Sequence, residues 1–298
     1  MDNVRYVNLD EGLFGFFGGI DDDVSVEELT EAAELDDTDA IHELGRIYLD
    51  GIGVDQDFEM AAHWWSKSAE MGYSIGQLNM GLFYAKGCGV ERNLVKAAEW
   101  CDKASRSGDE DAGSLSAFLK DMIDTLKKAE TGNVEAQYKT ASNYLYLSEC
   151  LYQFGPEADF KQAFIWASKA AAADYADAYF LVGLAYDHGR GIEQDSIKAF
   201  EFFKKGCDLG SISCKHNLGC KYINGDGVAK DQAKGFKLVT EAAEGGDNQA
   251  MKTLGTLYQL GIACQDDIET ACYWFEKSLE LYYDPELENK LMLLRMTF

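Results

Sequence analysis

The sequence predicts an all-α protein: a right-handed α/α superhelix, or solenoid, of antiparallel helix pairs with about six to seven repeats. Three observations carry that prediction. A glycine-spaced turn recurs along the chain. A Leu-Gly…Tyr pattern precedes each turn at a fixed period. Only two prolines, Pro156 and Pro285, occur in 298 residues, which favours helix.

The turn is first met as "LDGIGVDQD" at 49–57. It returns as "AKGCGVERN" (85–93), "DHGRGIEQD" (187–195) and "INGDGVAKD" (223–231), with a weakened copy, "QLGIACQDD", at 259–267. Two glycines around one residue suit a phosphate-cradling loop. These copies follow no strand pattern and lack the further Gly and Lys of a P-loop, so they read as turns. Upstream lie Leu44-Gly45-Tyr48, Met80-Gly81-Tyr84, Val182-Gly183-Tyr186, Leu218-Gly219-Tyr222 and Leu254-Gly255-Tyr258. The glycines are 36 residues apart from 45 to 81, and again from 183 to 219 and 219 to 255.

Downstream, an Asp or Asn is followed four residues later by Ala or Gly and seven later by a large apolar residue. The sets are Asp57-Ala61-Trp64, Asn93-Ala97-Trp100, Asp159-Ala163-Trp166, Asp195-Ala199-Phe202, Asp231-Gly235-Leu238 and Asp267-Ala271-Trp274. Each unit thus reads as helix A, turn, helix B. The first turn glycine supplies the left-handed residue that ends helix A. The Asp or Asn caps helix B by accepting from its free N–H groups. The Gly and Ala positions let the helices approach closely, and the Tyr and Trp positions fill the space between units. One hairpin cannot bury its apolar face, so the units stack.

This set of residues resembles the Sel-like repeat (SLR) family, relatives of the tetratricopeptide repeats, over residues 25–298. Full repeats are expected near 40–75, 76–111, 136–177, 178–213, 214–249 and 250–285. Residues 112–135 form a short, degenerate unit that has lost the turn, so its helices are expected to fuse or to join through a minimal turn. The following unit carries six extra residues before Asp159. Capping helices are expected at 25–36, where Ser25 and Glu28 have capping-box spacing, and at 285–298, where Asp284 caps and Pro285 takes the first helical position. Residues 1–24 form an acidic N-terminal segment containing Phe14, Phe16 and Phe17.

Charge restricts the partners. The net charge is −25, and residues 1–39 hold thirteen acids against one base. Such a chain repels phosphate backbones, so direct nucleic-acid binding is not expected. It favours basic partners, or none in particular, since acidity also serves solubility. No apolar run approaches the ~18–20 residues of a membrane span, so no membrane insertion is expected. The N-terminus lacks the basic and apolar regions of a secretory signal. A cytoplasmic protein is the expectation, and a secreted or injected bacterial protein is the alternative.

Chemistry-bearing motifs are sparse. His42, His63, His188 and His216 adjoin no recognisable nucleophile motif. Cys207, Cys214, His216 and Cys220 form the best metal candidate, but zinc sites show tighter paired spacings, so no metal or other cofactor is expected. One branch of the resembled family pairs cysteines eight positions apart on helix B and the next helix A. Cys207 and Cys214 are seven apart, and the matching positions 69 and 243 are Ala, which sets this chain apart from that branch.

The resemblance implies a non-catalytic protein–protein interaction scaffold or adaptor that binds a peptide or protein segment in a concave groove lined by the A helices. By analogy with tetratricopeptide geometry, the groove positions are His42, Arg46, Leu82, Lys86, Phe118, Tyr138, Ser142, Tyr146, Phe180, Leu184, His188, His216, Asn224, Lys252, Thr256 and Gln259. The centre of this series is aromatic and apolar. These side chains either meet a partner or belong to the core shared by neighbouring units. Two other functions compete: a hydrolase of cell-wall or β-lactam type, as suggested for some relatives, and an acidic mimic that blocks a basic nucleic-acid-binding protein.

Overall fold

The structure, a computed structural model, describes residues 25–150 and 157–296. Those residues form fifteen α-helices and no strand. A lone helix α1 (Val26–Glu34) is followed by α2 (Thr38–Asp50) paired with α3 (Phe58–Glu70), and by α4 (Ser74–Lys86) paired with α5 (Leu94–Arg106). Next come α6 (Glu110–Glu130) and α7 (Val134–Cys150), then α8 (Glu157–Ala172). Three further pairs follow: α9 (Ala176–His188) with α10 (Ser196–Asp208), α11 (Ile212–Asn224) with α12 (Gln232–Glu244), and α13 (Asn248–Leu260) with α14 (Ile268–Leu281). Helix α15 (Pro285–Met296) comes last.

The chain divides into two compact units, one within 1–128 and 146–156, the other within 129–145 and 157–298. In the first, α1 to α5 pack in sequence, each on the next. In the second, α8 to α15 do the same, and α11 also touches α9. The first core centres on Trp65, Phe83, Leu82, Leu119 and Leu147, the second on Val239, Leu254 and Leu257 with Phe275 and Leu291 beyond.

Local physics sets the helix ends as expected. Gly51, Gly87, Gly189, Gly225 and Gly261 end the A helices in the left-handed conformation. The cap residue is then tied twice. Its side chain accepts from the first free N–H groups of helix B at Asp57, Asn93, Asp195, Asp231 and Asp267. Its own N–H donates to the carbonyl of the repeated tyrosine, as from Asp231 to Tyr222 at 2.8 Å. Ser25 and Glu28 form the reciprocal capping box of α1, and Asp284 caps α15 ahead of Pro285.

The second turn glycine has a role that the turn alone does not require. At Gly227 (φ 70°) a β-carbon would run into the carbonyl of Ser196, at the start of the preceding helix B; Gly191 and Gly89 face Phe160 and Phe58 in the same way. At Gly53, in the first pair, nothing lies within 4 Å. At Gly89, Gly191 and Gly227 this glycine therefore seats the turn on the unit before it.

Three details refine the expected frame. The residue wedged against the helix-A glycine is not the aromatic seven after the cap but its neighbour, twenty after the glycine. Trp65, Cys101, Phe203, Val239 and Phe275 occupy the space above Gly45, Gly81, Gly183, Gly219 and Gly255. One residue turns the side chain by about 100° on a helix, so Phe203 is wholly buried while Phe202 is only half-buried. Asp159 lies inside the first turn of α8 rather than at its cap, because α8 already begins at Glu157. Residues 110–130, where the turn is missing, run as the single 21-residue helix α6, the fused alternative of the two expected.

Candidate functional site

The A helices carry the sixteen candidate positions, and the structure gives them unlike surroundings. In the first unit, His42 Nε2 on α2 lies 2.6 Å from Ser68 Oγ on α3, with its ring edge-on to Tyr73. Burial holds its pKa below the ordinary value, with Asp39 opposing. Arg46 is held by Glu43 on its own helix, at 3.1 Å from Nε, with Asp50 at 4.0 Å. Leu82 is wholly buried and Lys86 nearly so. Leu82 is thus core, because α4 presents its apolar residues all round rather than on one stripe: ten of its thirteen residues are buried. Phe118 and Tyr146 pack on each other at 4.9 Å.

In the second unit, Tyr138 packs on Tyr175 at 5.0 Å, and Ser142 donates to the Tyr138 carbonyl. Burial, with Asp177 nearby, pushes the Tyr138 pKa up. Phe180 and Leu184 are half-buried, with Phe180 6.5 Å from Phe203. His188 and Asn224 stand exposed at the helix ends. Lys252 binds Asp284 at 2.6 Å, and Thr256 accepts from Lys290 at 3.5 Å. Gln259 is one wall of an open groove of about 550 Å3, whose other walls are Glu286, Asn289, Lys290, Leu293 and Leu294. The series is therefore a mixture of core, inter-helix ties and exposed positions.

His216 is the most elaborate position. Its Nε2 lies 3.0 Å from Thr253 Oγ1 on α13 and 3.4 Å from Cys220 Sγ one turn along α11; its Nδ1 is 4.0 Å from Asp247 Oδ1. Thiol, imidazole and carboxylate thus lie in the order of a nucleophile, base and orienter. The electrostatics oppose that use. Burial, with Asp247 and Asp187 nearby, pushes the Cys220 thiol up to about 11, and burial lowers the His216 pKa. At neutral pH the pair is thiol and neutral imidazole, without the thiolate that cysteine nucleophiles need. Cys214 lies against Gly206 on α10, away from this row, and neither it nor Cys207 is bridged. Among the described residues no three His, Cys, Asp or Glu are placed to hold a metal.

A set of polar links escaped the sequence analysis. Neighbouring A helices in the second unit are joined by side chains 34 residues apart, two short of the repeat. Ser211 donates to Asp177 at 2.7 Å, Ser213 to Asp247 at 3.4 Å, and Lys221 binds Asp187. In the first unit Lys67, 34 residues after Ala33, donates to its carbonyl at 2.6 Å. Lys221 is the deepest of these. Its side chain is 5% exposed and also binds Asp226. Burial opposes its charge, but the two carboxylates outweigh that and hold its pKa above the ordinary value. Complementary residues at this separation were the available signal.

Comparison with known proteins agrees with this architecture. The Sel1 repeat model matches residues 38–73, 74–109, 134–175, 176–211, 212–247 and 249–283. The matched segments stop at 109 and resume at 134, on either side of α6. Among solved structures, the chain is similar to a Sel1 repeat protein from Oxalobacter formigenes, at 27% identity and a TM-score of 0.45, covering 85% of this chain and 90% of that one. It is also similar to c5321, a protective antigen present in uropathogenic Escherichia coli strains displaying an SLR fold, at 24% identity and a TM-score of 0.44, covering 92% of this chain and 68% of that one. With six matched repeats across most of its length, the chain belongs to the Sel1 repeat family.

Proposed function

We propose that this protein is a non-catalytic interaction scaffold whose A helices bind a peptide or protein segment. Sel1 repeat proteins generally bind other proteins. The observation that carries the reading is the split between two kinds of position. Gly, Tyr, cap and turn residues recur and are engaged in packing, whereas the intervening helix-A positions differ from unit to unit. Repeats with a fixed frame and variable faces suit recognition of an extended partner. The net charge of −25 favours a basic segment. Among the described residues no helix is long and apolar enough to cross a membrane.

The test is affinity capture from the native lysate with three baits: the full chain, a chain lacking residues 1–24, and a His188→Ala/Asn224→Ala/Gln259→Ala variant. The first two positions are exposed and the third half-buried, so the melting temperature should hold. A partner that is lost by the triple variant and kept by the truncated chain supports the reading. A partner kept by the triple variant and lost on truncation, with binding that collapses in salt, replaces it with the acidic-mimic reading.

A further inference from the structure

The helices α11, α13 and α15 start from equivalent caps, Ser211, Asp247 and Asp284. Eight residues after each cap stand Gly219, Gly255 and Met292, so positions match from one helix to the next. Between α11 and α13 a hydrogen bond closes the gap. His216, five after its cap, meets Thr253, six after its own, at 3.0 Å. The same two positions between α13 and α15 are Lys252 and Lys290. Two ammonium groups only donate and cannot make that bond. Lys252 turns instead to Asp284 at 2.6 Å. Lys290 lies with its Nζ 4.5 Å from the centre of the Phe275 ring, and its nearest acceptor is Thr256 Oγ1 at 3.5 Å. Among the described residues no carboxylate pairs with Lys290, and burial alone pulls its pKa below the ordinary lysine value.

Where the tie is missing lies the open groove of about 550 Å3 beside Gln259. Its walls, α13 and α15, both lie within the described residues. They offer the Lys290 ammonium, the amides of Gln259 and Asn289, and the apolar surface of Leu294 and of Leu293, which is 61% exposed. Glu286 stands exposed on the rim, one turn before Lys290. A half-desolvated ammonium without an anion is costly. One carboxylate entering the groove would accept from Lys290 and from an amide. A second would meet Glu286.

We propose that the groove between α13 and α15 holds one carboxylate side chain of a bound peptide segment, taken by Lys290, with an apolar side chain of the same segment on Leu293 and Leu294. This rests on the scaffold reading and deepens it: a segment that is basic overall carries one acidic residue beside an apolar one at this point. The measurement is methyl NMR of the full chain labelled at leucine, titrated to millimolar with acetyl-Leu-Asp-Leu-amide and its Asn and Lys counterparts. Leu293→Met and Leu294→Met identify the two sets of signals. The Asp peptide should shift both and bind roughly tenfold more tightly than the Asn peptide. Lys290→Gln should remove that preference, and Lys290→Arg should keep it. Lys277→Gln, on α14 where Lys277 pairs with Glu280, should change nothing. Equal binding of the three peptides, a tighter Lys peptide, no shift at Leu293 and Leu294, or a Lys290→Gln variant that behaves as Lys277→Gln overturns the proposal. If Lys290→Gln fails to fold, the three peptides on the wild-type chain decide it. A partner captured from lysate by the full chain and held equally by Lys290→Gln overturns this inference and leaves the scaffold reading standing.

Discussion

Helix α6 and the pair α13–α14 illustrate opposite uses of the same residue type. In the pair, every glycine has a geometric duty. Gly255 admits the ring of Phe275, and Gly261 reverses the chain at φ 62°. In α6, Gly113 sits inside a helix whose cap, Asp109, accepts from Ala112 at 2.8 Å. A β-carbon there would meet only the side chain of Ser105, at 2.8 Å from its Oγ, and a serine can turn away. The helix is tied to α5 by polar contacts instead, from Ser116 and Lys120 to Asp102. The difference teaches that the repeat signature is a record of close approach. Where the turn and the helix B it aims are gone, the constraint on glycine lapses.

Substitutions can break or sharpen that contrast. The largest effect is expected from Gly183→Leu, which forces a side chain into the wholly buried Phe203 ring 2.5 Å away; urea denaturation should show a loss of about 3 kcal/mol or more. Next comes Gly227→Ala, which combines left-handed strain with a clash against the Ser196 backbone. It should cost about 2–3 kcal/mol, whereas Gly53→Ala, with open space around it, should cost only about 1–2. Equal losses at 53 and 227 would show that the second glycine serves the turn and not the neighbouring unit. Removing the Asp195 cap with alanine should cost about 1 kcal/mol by the same measurement.

A smaller effect is expected from acid at His216. Burial lowers its pKa from the ordinary 6.5, so the unfolded chain takes up the proton more readily than the folded one. The contribution is fully present above pH 6.5 and fades as pH falls below it. A melting-temperature series from pH 7.5 to 5.5 should therefore fall more steeply in wild type than in His216→Gln. The smallest change belongs to Gly113→Ala in α6, which should be neutral or stabilising by up to about 1 kcal/mol through helix propensity. A marked loss there would erase the distinction between the two regions.

Much of the frame was legible because it depends on local chemistry. Ser25 with Glu28, Asp284 with Pro285, and the five left-handed glycines are each decided by a few neighbouring backbone groups. The misjudged positions depend on helix rotation or on distant units. Trp64 packs in the core with Leu29 and Ile41, but the repeated pattern did not single out Trp65, one residue and about 100° further round the helix, as the side chain against Gly45. The candidate site was less legible for the same reason. Leu82 follows its glycine just as Arg46 and Leu184 do, but α4 is enclosed on all sides and its face goes to the core. The 34-residue links need the offset between neighbouring A helices, which a period of 36 conceals until the helices are placed side by side.

Met292 bears on how such an array could lengthen over evolutionary time. A duplicated helix pair copied in after α14 would offer its own glycine to its own helix B, so the new unit would seat without further change. The same pair copied in after α15 would meet a methionine where a glycine is needed. Length changes are therefore expected among the pairs whose helix A carries that glycine.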